Sequence, residues 1–234
     1  MERLPEPELM DEAAQALAYA KADFAEPHER FVDGFATCFP DVTPRGTYLD
    51  LGCGPGDVTL RFARRHPQVL LHGVDGAAAM LAHGHELIQQ AGMAHRVRLI
   101  HQLLPADSLP NDRYDGVISN SLLHHLHDPR GMWQTVARFA APGAPIFIMD
   151  LRRPDTPDQA RALVEEYSVG EPEILRRDFY NSLLAAFRPE EVEAQLRAAA
   201  LDLEVKIASD RHLIVCGTLR PAPETPQGKR KSHA

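Results

Sequence analysis

Cysteine, lysine and tryptophan are scarce in this chain of 234 residues, which has three cysteines, four lysines and one tryptophan. Cys38, Cys53 and Cys216 are widely spaced, odd in number and form no CxxC pair, which argues against a disulfide framework and against a structural zinc site. Positive charge is also in deficit: 25 Lys+Arg against 33 Asp+Glu give a formal charge of −8. Gripping a nucleic-acid backbone requires clustered positive charge, so that task is disfavoured, while a local basic pocket stays compatible with the balance. The chain has no run of about 18 apolar residues. Its start, MERLPEPELMDE, is acidic and lacks an apolar stretch of signal-peptide length, so a soluble cytoplasmic protein without a membrane partner is expected. What is present, 44% hydrophobic and 25% charged residues, suffices to bury a core.

The pattern along the chain predicts an N-terminal helical cap over 1–46, with helices at 11–22 and 27–39 closed by the breakers around Pro40 and Pro44. From Thr47, short apolar strands (47–51, 69–74, 97–101, 115–119 and 145–150) alternate with helical segments at 57–66, 77–90 and 129–141. Such alternation is the sequence form of βαβ units: an α/β, doubly wound, Rossmann-like sheet of seven strands, mostly parallel, with helices on both faces. A charged and aromatic insertion at 154–188 interrupts the rhythm and is expected to act as a lid on a core of 47–220. Pro189 then opens a helix. The connection 209–212 between the final strands, 203–208 and 213–219, is too short for a crossover, so the last strand should run antiparallel. The tail, 221–234, is Pro-rich and then basic, the composition of a disordered terminus.

The most informative segment is YLDLGCGPGD, residues 48–57. A buried strand enters a loop with glycines at alternate positions and then a helix, so the backbone can turn sharply and approach a ligand closely. In the dinucleotide pattern GxGxxG the third glycine would fall at Asp57, so this is GxGxG instead. The acid Asp50 beside the loop is wrong for a phosphate and right for an ammonium. Asp75, ending the second strand, is placed to accept from a ribose diol. One ligand with an ammonium, a ribose and no phosphate is S-adenosylmethionine.

The runs YLDLGCGPG, GVDGAAAML and YDGVISNSLLHHLHDP, in that order, resemble the class I S-adenosylmethionine-dependent methyltransferases, and the order of elements matches from about residue 10 to 219. The resemblance implies that S-adenosyl-L-methionine is the cofactor. It implies Asp50, Gly52, Cys53, Gly54 and Gly56 around the methionine moiety, Asp75 on the ribose, Gly76 and Met80 against adenine, and Tyr19 as a closing lid residue. Where the family commonly has Gly-Asp after the third strand, this chain has Gln102-Leu103-Leu104. Adenine is then read by the Leu103 backbone or by Asp107. Asn120 and Ser121 would line the path from cofactor to acceptor.

Methyl transfer needs alignment and exclusion of water, and a base only where the acceptor must lose a proton. His124 is the preferred acceptor-facing base, its alternative being a hydrogen-bonded wall; His125 reads as structural and His127 as surface. Three histidines in four positions suggest a metal, but no carboxylate lies nearby in sequence beyond Asp128, so none is expected. His83, His85, His95 and His101 scatter over separate elements and read as surface. Arg152 and Arg153 after the fifth strand, with Asn181 and Tyr180 in the run 176–182, are candidates for binding a small, anionic acceptor. The arginines could instead pair with Glu165, Glu166, Glu171 and Glu173, and Tyr180 could simply pack in the lid. His212, before the last strand, reads as a hairpin-end residue that can border the acceptor pocket. The expected function is methyl transfer to a small molecule. The rivals are RNA or protein methylation, disfavoured by Ser119-Asn120-Ser121-Leu122 where a DPPY- or NPPY-like motif would stand, and a cofactor-binding scaffold without turnover.

Overall fold

The structure, a computed structural model, describes residues 1–22 and 24–220. The expected disordered tail lies outside the described residues. Seven strands, β1 (Gly46–Leu51), β2 (Val69–Asp75), β3 (Val97–His101), β4 (Gly116–Asn120), β5 (Pro145–Leu151), β6 (Glu204–Ile207) and β7 (His212–Thr218), form one sheet in the order β3-β2-β1-β4-β5-β7-β6. The first five run parallel, and β7 runs antiparallel to both of its neighbours. This is the expected doubly wound sheet, with the reversal where the short final connection demands it. No helix among the described residues is long and apolar enough to cross a membrane.

The helices are α1 (Ala13–Lys21), α2 (Ala25–Cys38), α3 (Asp57–Arg65), α4 (Ala78–Gln90), α5 (Arg130–Phe139), α6 (Pro157–Tyr167), α7 (Glu173–Ala185) and α8 (Pro189–Ala198). Side chains alternate across the strands, so Phe147 and Met149 of β5 enter one buried cluster and Ile146 and Ile148 the other. Phe31 and Phe35 of α2 pack edge-on against Phe147 at 5.0 and 5.8 Å between ring centroids. Helix α2 is therefore built into the core on one face, while Ala16 of α1 packs in a small separate cluster with Ala77 and Met80. The insertion forms α6 and α7. A capping box of Thr156 and Gln159 with Pro at the first turn sets the start of α6.

Residues 3–11 lie as a strap along the sheet edge where the parallel strands end. The Leu4 N–H donates to the Leu184 carbonyl at 3.1 Å. The Arg3 guanidinium donates to the carbonyls of His124 and Leu126, both at 2.9 Å. Glu8 accepts from the His127 N–H at 2.6 Å, and Asp11 accepts from the Ala79 N–H at 2.9 Å. The strap thus ties the insertion, the loop after β4 and the start of α4 together. Nothing in its composition announced this role.

Candidate active site

At that edge a cavity of about 570 Å³ opens over the glycine loop, lined by Asp50, Gly52, Cys53, Gly54, Asp75, Gly76, Met80, Leu103, Asn120, Ser121 and Tyr19 among others. Gly52, Gly54 and Gly56 have φ of +69°, +52° and +78°, the left-handed region that glycine enters without steric cost. A Cβ on Gly52 would meet the Leu122 side chain at 2.7 Å, while one on Gly54 would project into open space. That open space over the loop is the room a ligand needs to lie against the backbone. Asp75 accepts from the N–H of Gly54 and of Ala77, both at 2.8 Å. Burial raises its pKa and these two donors offset part of the rise.

Asp50 is buried at the end of β1 and accepts from the Thr59 hydroxyl of α3 at 2.5 Å. Burial pushes its carboxyl up to about 7, the Thr59 hydroxyl pulling the other way. A carboxyl raised in the fold is protonated there while the unfolded chain is already ionised. Its contribution to stability is therefore present at low pH and is lost as pH climbs from about 4 to about 7. Asp50→Asn in the unliganded protein should raise Tm at about pH 8 and leave it unchanged near pH 4, as read by calorimetric melting. The same variant should weaken binding of a cationic ligand. An equal Tm shift at both pH values would reject burial of this carboxyl as the cause.

A second chamber of about 510 Å³ adjoins the first. Met10, Tyr19, His28, Asn120, Ser121 and His125 line both, so the two communicate where β4 ends. Ser121 sits at this junction with φ of +57°, strained for a residue with a Cβ. Tyr19 stacks at 4.7 Å on Phe24, and burial, with Asp57, Asp75 and Asp150 around it, pushes its hydroxyl up to about 12. His28 of α2 bonds through Nδ1 to Asp57 at 2.6 Å. Against the cost of burial, His28 and Arg61 hold the Asp57 carboxyl below its usual range.

His124 lines the second chamber, and His125 lines both. They occupy a 3-10 turn, Leu123–His125, that stacks their rings 4.2 Å apart. The His124 Nδ1 bonds Asp150 Oδ1 at 2.6 Å, and Asp150 Oδ2 accepts from the Leu123 N–H at 2.7 Å. Burial works against a charge on His124, but Asp150 and Glu6 prevail and raise its pKa. Burial, with His124 beside it, pulls His125 well below the ordinary range. Glu6, from the strap, lies 3.7 Å from His124 Nε2 and 3.3 Å from His125 Nδ1. The carboxylates that sequence spacing did not supply therefore come from Glu6 and from β5.

Several expected acceptor residues lie elsewhere. Tyr180 and Asn181 do not line the chamber; on α7 it is Leu175, Asp178, Phe179 and Ser182, at helical spacing, that face it. Tyr180 packs in the cluster between α6 and α7 instead. Arg153 is buried and bonds Glu191 at 2.6 Å and the Ala186 carbonyl at 3.0 Å, which ties β5 to the segment before α8. Arg152 bridges to Phe187 and donates its N–H to the Arg211 carbonyl at 2.9 Å; it too lies outside both cavities. The arginine in the chamber is Arg211, with its guanidinium 3.3 Å over the Tyr167 ring and paired to Asp210. His212 lines the chamber beside it, and burial, aided by Arg211, lowers its pKa to about 4. Asp107 is exposed and outside the donor cavity, where Leu103, Gln102 and Gln134 lie. Charged runs misled the sequence reading here. The apolar periodicity of 175–184 was the usable signal.

Residues 49–143 match the methyltransferase domain family. An uncharacterized methyltransferase of Mycobacterium tuberculosis is 31% identical over 48% of this chain and 55% of its own length. A ubiquinone biosynthesis O-methyltransferase of Hahella chejuensis is 29% identical over 68% of this chain and 64% of its own. The chain thus spans about half to two thirds of the length of these curated relatives. Among solved structures, a SAM-dependent methyltransferase of Aquifex aeolicus superposes with a TM-score of 0.64 at 16% identity, covering 89% of this chain and 98% of that one. A [4+2]-cyclase, SpnF, superposes with a TM-score of 0.63 at 15% identity over 94% of this chain and 88% of its own. The fold alone therefore does not fix the chemistry. The glycine loop and Asp75 both fall within the matched segment 49–143, so this part of the chain is similar to a methyltransferase domain in sequence as well as in fold.

Proposed function

We propose that this protein transfers the methyl group of S-adenosylmethionine to a small-molecule acceptor. The observation that carries this reading is the pair of communicating cavities, acidic and glycine-lined on one side and histidine-lined on the other. Bound in the first, the cofactor supplies an electrophilic methyl group on a sulfonium. Asp50 would meet the ammonium, Gly52, Cys53 and Gly54 the methionine chain, and Asp75 the ribose hydroxyls with its remaining lone pairs. Gly56, expected among these contacts, lies outside both cavities and faces Ile88 and Leu99, where it shapes the turn into α3. Gly76, Met80 and Leu103 would cover adenine, with Leu9 of the strap against Gly76 and Leu103. Tyr19, Asn120 and Ser121 would frame the opening through which the acceptor's nucleophile meets the methyl carbon.

His124 would take a proton from the acceptor at Nε2, with Asp150 fixing the ring through Nδ1. Arg211 offers a cation for an acidic acceptor, since neither Arg152 nor Arg153 reaches the chamber. Relatives named as ubiquinone biosynthesis O-methyltransferases favour an oxygen nucleophile, and one named as a trans-aconitate 2-methyltransferase favours a small-molecule acceptor.

The test is incubation of the protein with isotope-labelled methyl donor and a cell extract, followed by mass spectrometry. Label in a small molecule is the expected result. Label in RNA or protein would overturn the acceptor class, and no transfer alongside intact cofactor binding would leave a scaffold without turnover.

A further inference from the structure

We propose that Glu6 Oε1, His124 Nε2 and His125 Nδ1 form a binding site for a zinc-type divalent cation. Among the described residues this is the one cluster of His, Cys, Asp and Glu whose ligand atoms converge, all within 4.8 Å of one another. Zinc with bonds of ~2.0–2.1 Å sets neighbouring ligand atoms of a tetrahedron ~3.3 Å apart. Glu6 Oε1 stands 3.3 Å from His125 Nδ1 and 3.7 Å from His124 Nε2.

The proton arrangement argues for the same occupant. His124 donates its Nδ1–H to Asp150, which leaves a lone pair on Nε2. His125 is bonded to the backbone of Pro7, whose only polar backbone group is a carbonyl, so a ring N–H of His125 is spent there. Its Nδ1 is buried without a hydrogen-bond partner, so Nε2 carries that N–H and Nδ1 a lone pair facing the Glu6 carboxylate. Three lone-pair atoms thus lie within 4.8 Å of one another, two on imidazoles anchored from behind by a carboxylate and a carbonyl, and the third, Glu6 Oε1, held by the Ser182 hydroxyl at 2.9 Å. Ligating histidines are held in this way at metal sites. Two imidazoles and one carboxylate suit zinc and its neighbours better than magnesium, which prefers oxygen ligands.

Both imidazoles border the second chamber, so the open coordination position would receive water or an acceptor oxygen from that side. Because Glu6 belongs to the strap, the cation would also clip residues 3–11 onto the loop after β4. The cation would occupy the same His124 Nε2 that the methyl-transfer reading gives to the base, and metal binding is measured without turnover, so the two readings can fail separately.

The experiment uses the full chain without an affinity tag, stripped with a chelator and titrated with zinc against a chromogenic indicator. One tight equivalent is expected, and cobalt in its place should give the intense visible bands of a low-coordinate N/O site. Glu6→Gln and His125→Ala should each weaken the site by more than about 10-fold. His127→Ala, an exposed neighbour, should leave it unchanged. Circular dichroism and calorimetric binding of S-adenosylmethionine establish that each variant is folded, and the cobalt spectrum of the unaltered chain stands if a variant is not. Absence of a tight equivalent, or full retention in both ligand variants, overturns the proposal.

Discussion

Asp75→Ala should weaken S-adenosylmethionine binding by about 100-fold or more, because it removes a carboxylate that serves the protein and the ligand together. In the protein it accepts from the N–H groups of Gly54 and Ala77, each at 2.8 Å. Hydrogen bonds to a charged partner contribute roughly 1.5–3 kcal/mol, and losing one such contact to a ribose hydroxyl already gives about a tenfold effect. Two hydroxyls and a loosened glycine loop multiply that. Asp75→Asn retains one acceptor oxygen and should fall between the two. Titration calorimetry is the measurement, and equal affinity of Asp75→Ala and the parent would sink the ribose assignment.

His124→Ala should lower turnover by about 10²–10⁴-fold while cofactor affinity stays close to that of the parent. The free imidazole is the active form of a base, and Asp150 and Glu6 hold the proton on it more firmly than water does. Turnover of the chelator-treated parent should therefore rise with pH and level only above the ordinary histidine range. That rising limb should vanish in His124→Ala. His124→Gln keeps a polar wall without a base, so recovery of activity in that variant would reduce His124 to a hydrogen-bonding surface.

The sheet and the donor half were legible because their signals are local. Alternating apolar strands, glycines at 52, 54 and 56, and an acid ending the next strand lie in short stretches whose physics needs no distant partner. All seven expected strands occur within two residues of their predicted bounds. The acceptor half was less legible because its residues meet only through tertiary contacts. Glu6 reaches His124 and His125 from the far end of the chain, and Asp150 fixes His124 across adjacent strands β4 and β5. On α7 the dense run 176–182 suggested function throughout. One face of a helix cannot hold consecutive residues, so Asp178, Phe179 and Ser182 face the chamber and Tyr180 turns to α6. For Arg153 the sequence leaves acceptor binding and pairing with Glu165, Glu166, Glu171 or Glu173 both open; it pairs with a different glutamate, Glu191.

The reversed direction of β7 has a bearing on how such a protein can diversify. Because β7 runs against β5, its first residue, His212, arrives at the same edge where β1, β2 and β4 finish. The donor cavity draws on loops to one side of β4, while Met149, Leu151, α7 and the turn 209–212 furnish the acceptor chamber on the other. The part of the second chamber built by α7 and this turn can therefore change independently of the first cavity, whereas Met10, Tyr19, His28, Asn120, Ser121 and His125 belong to both. Exchange of residues 151–212 between related proteins would remodel one wall of the second chamber, the wall of α7 and the turn 209–212, while Phe24, His28 and His124 of the opposite wall and the donor pocket stay as they are.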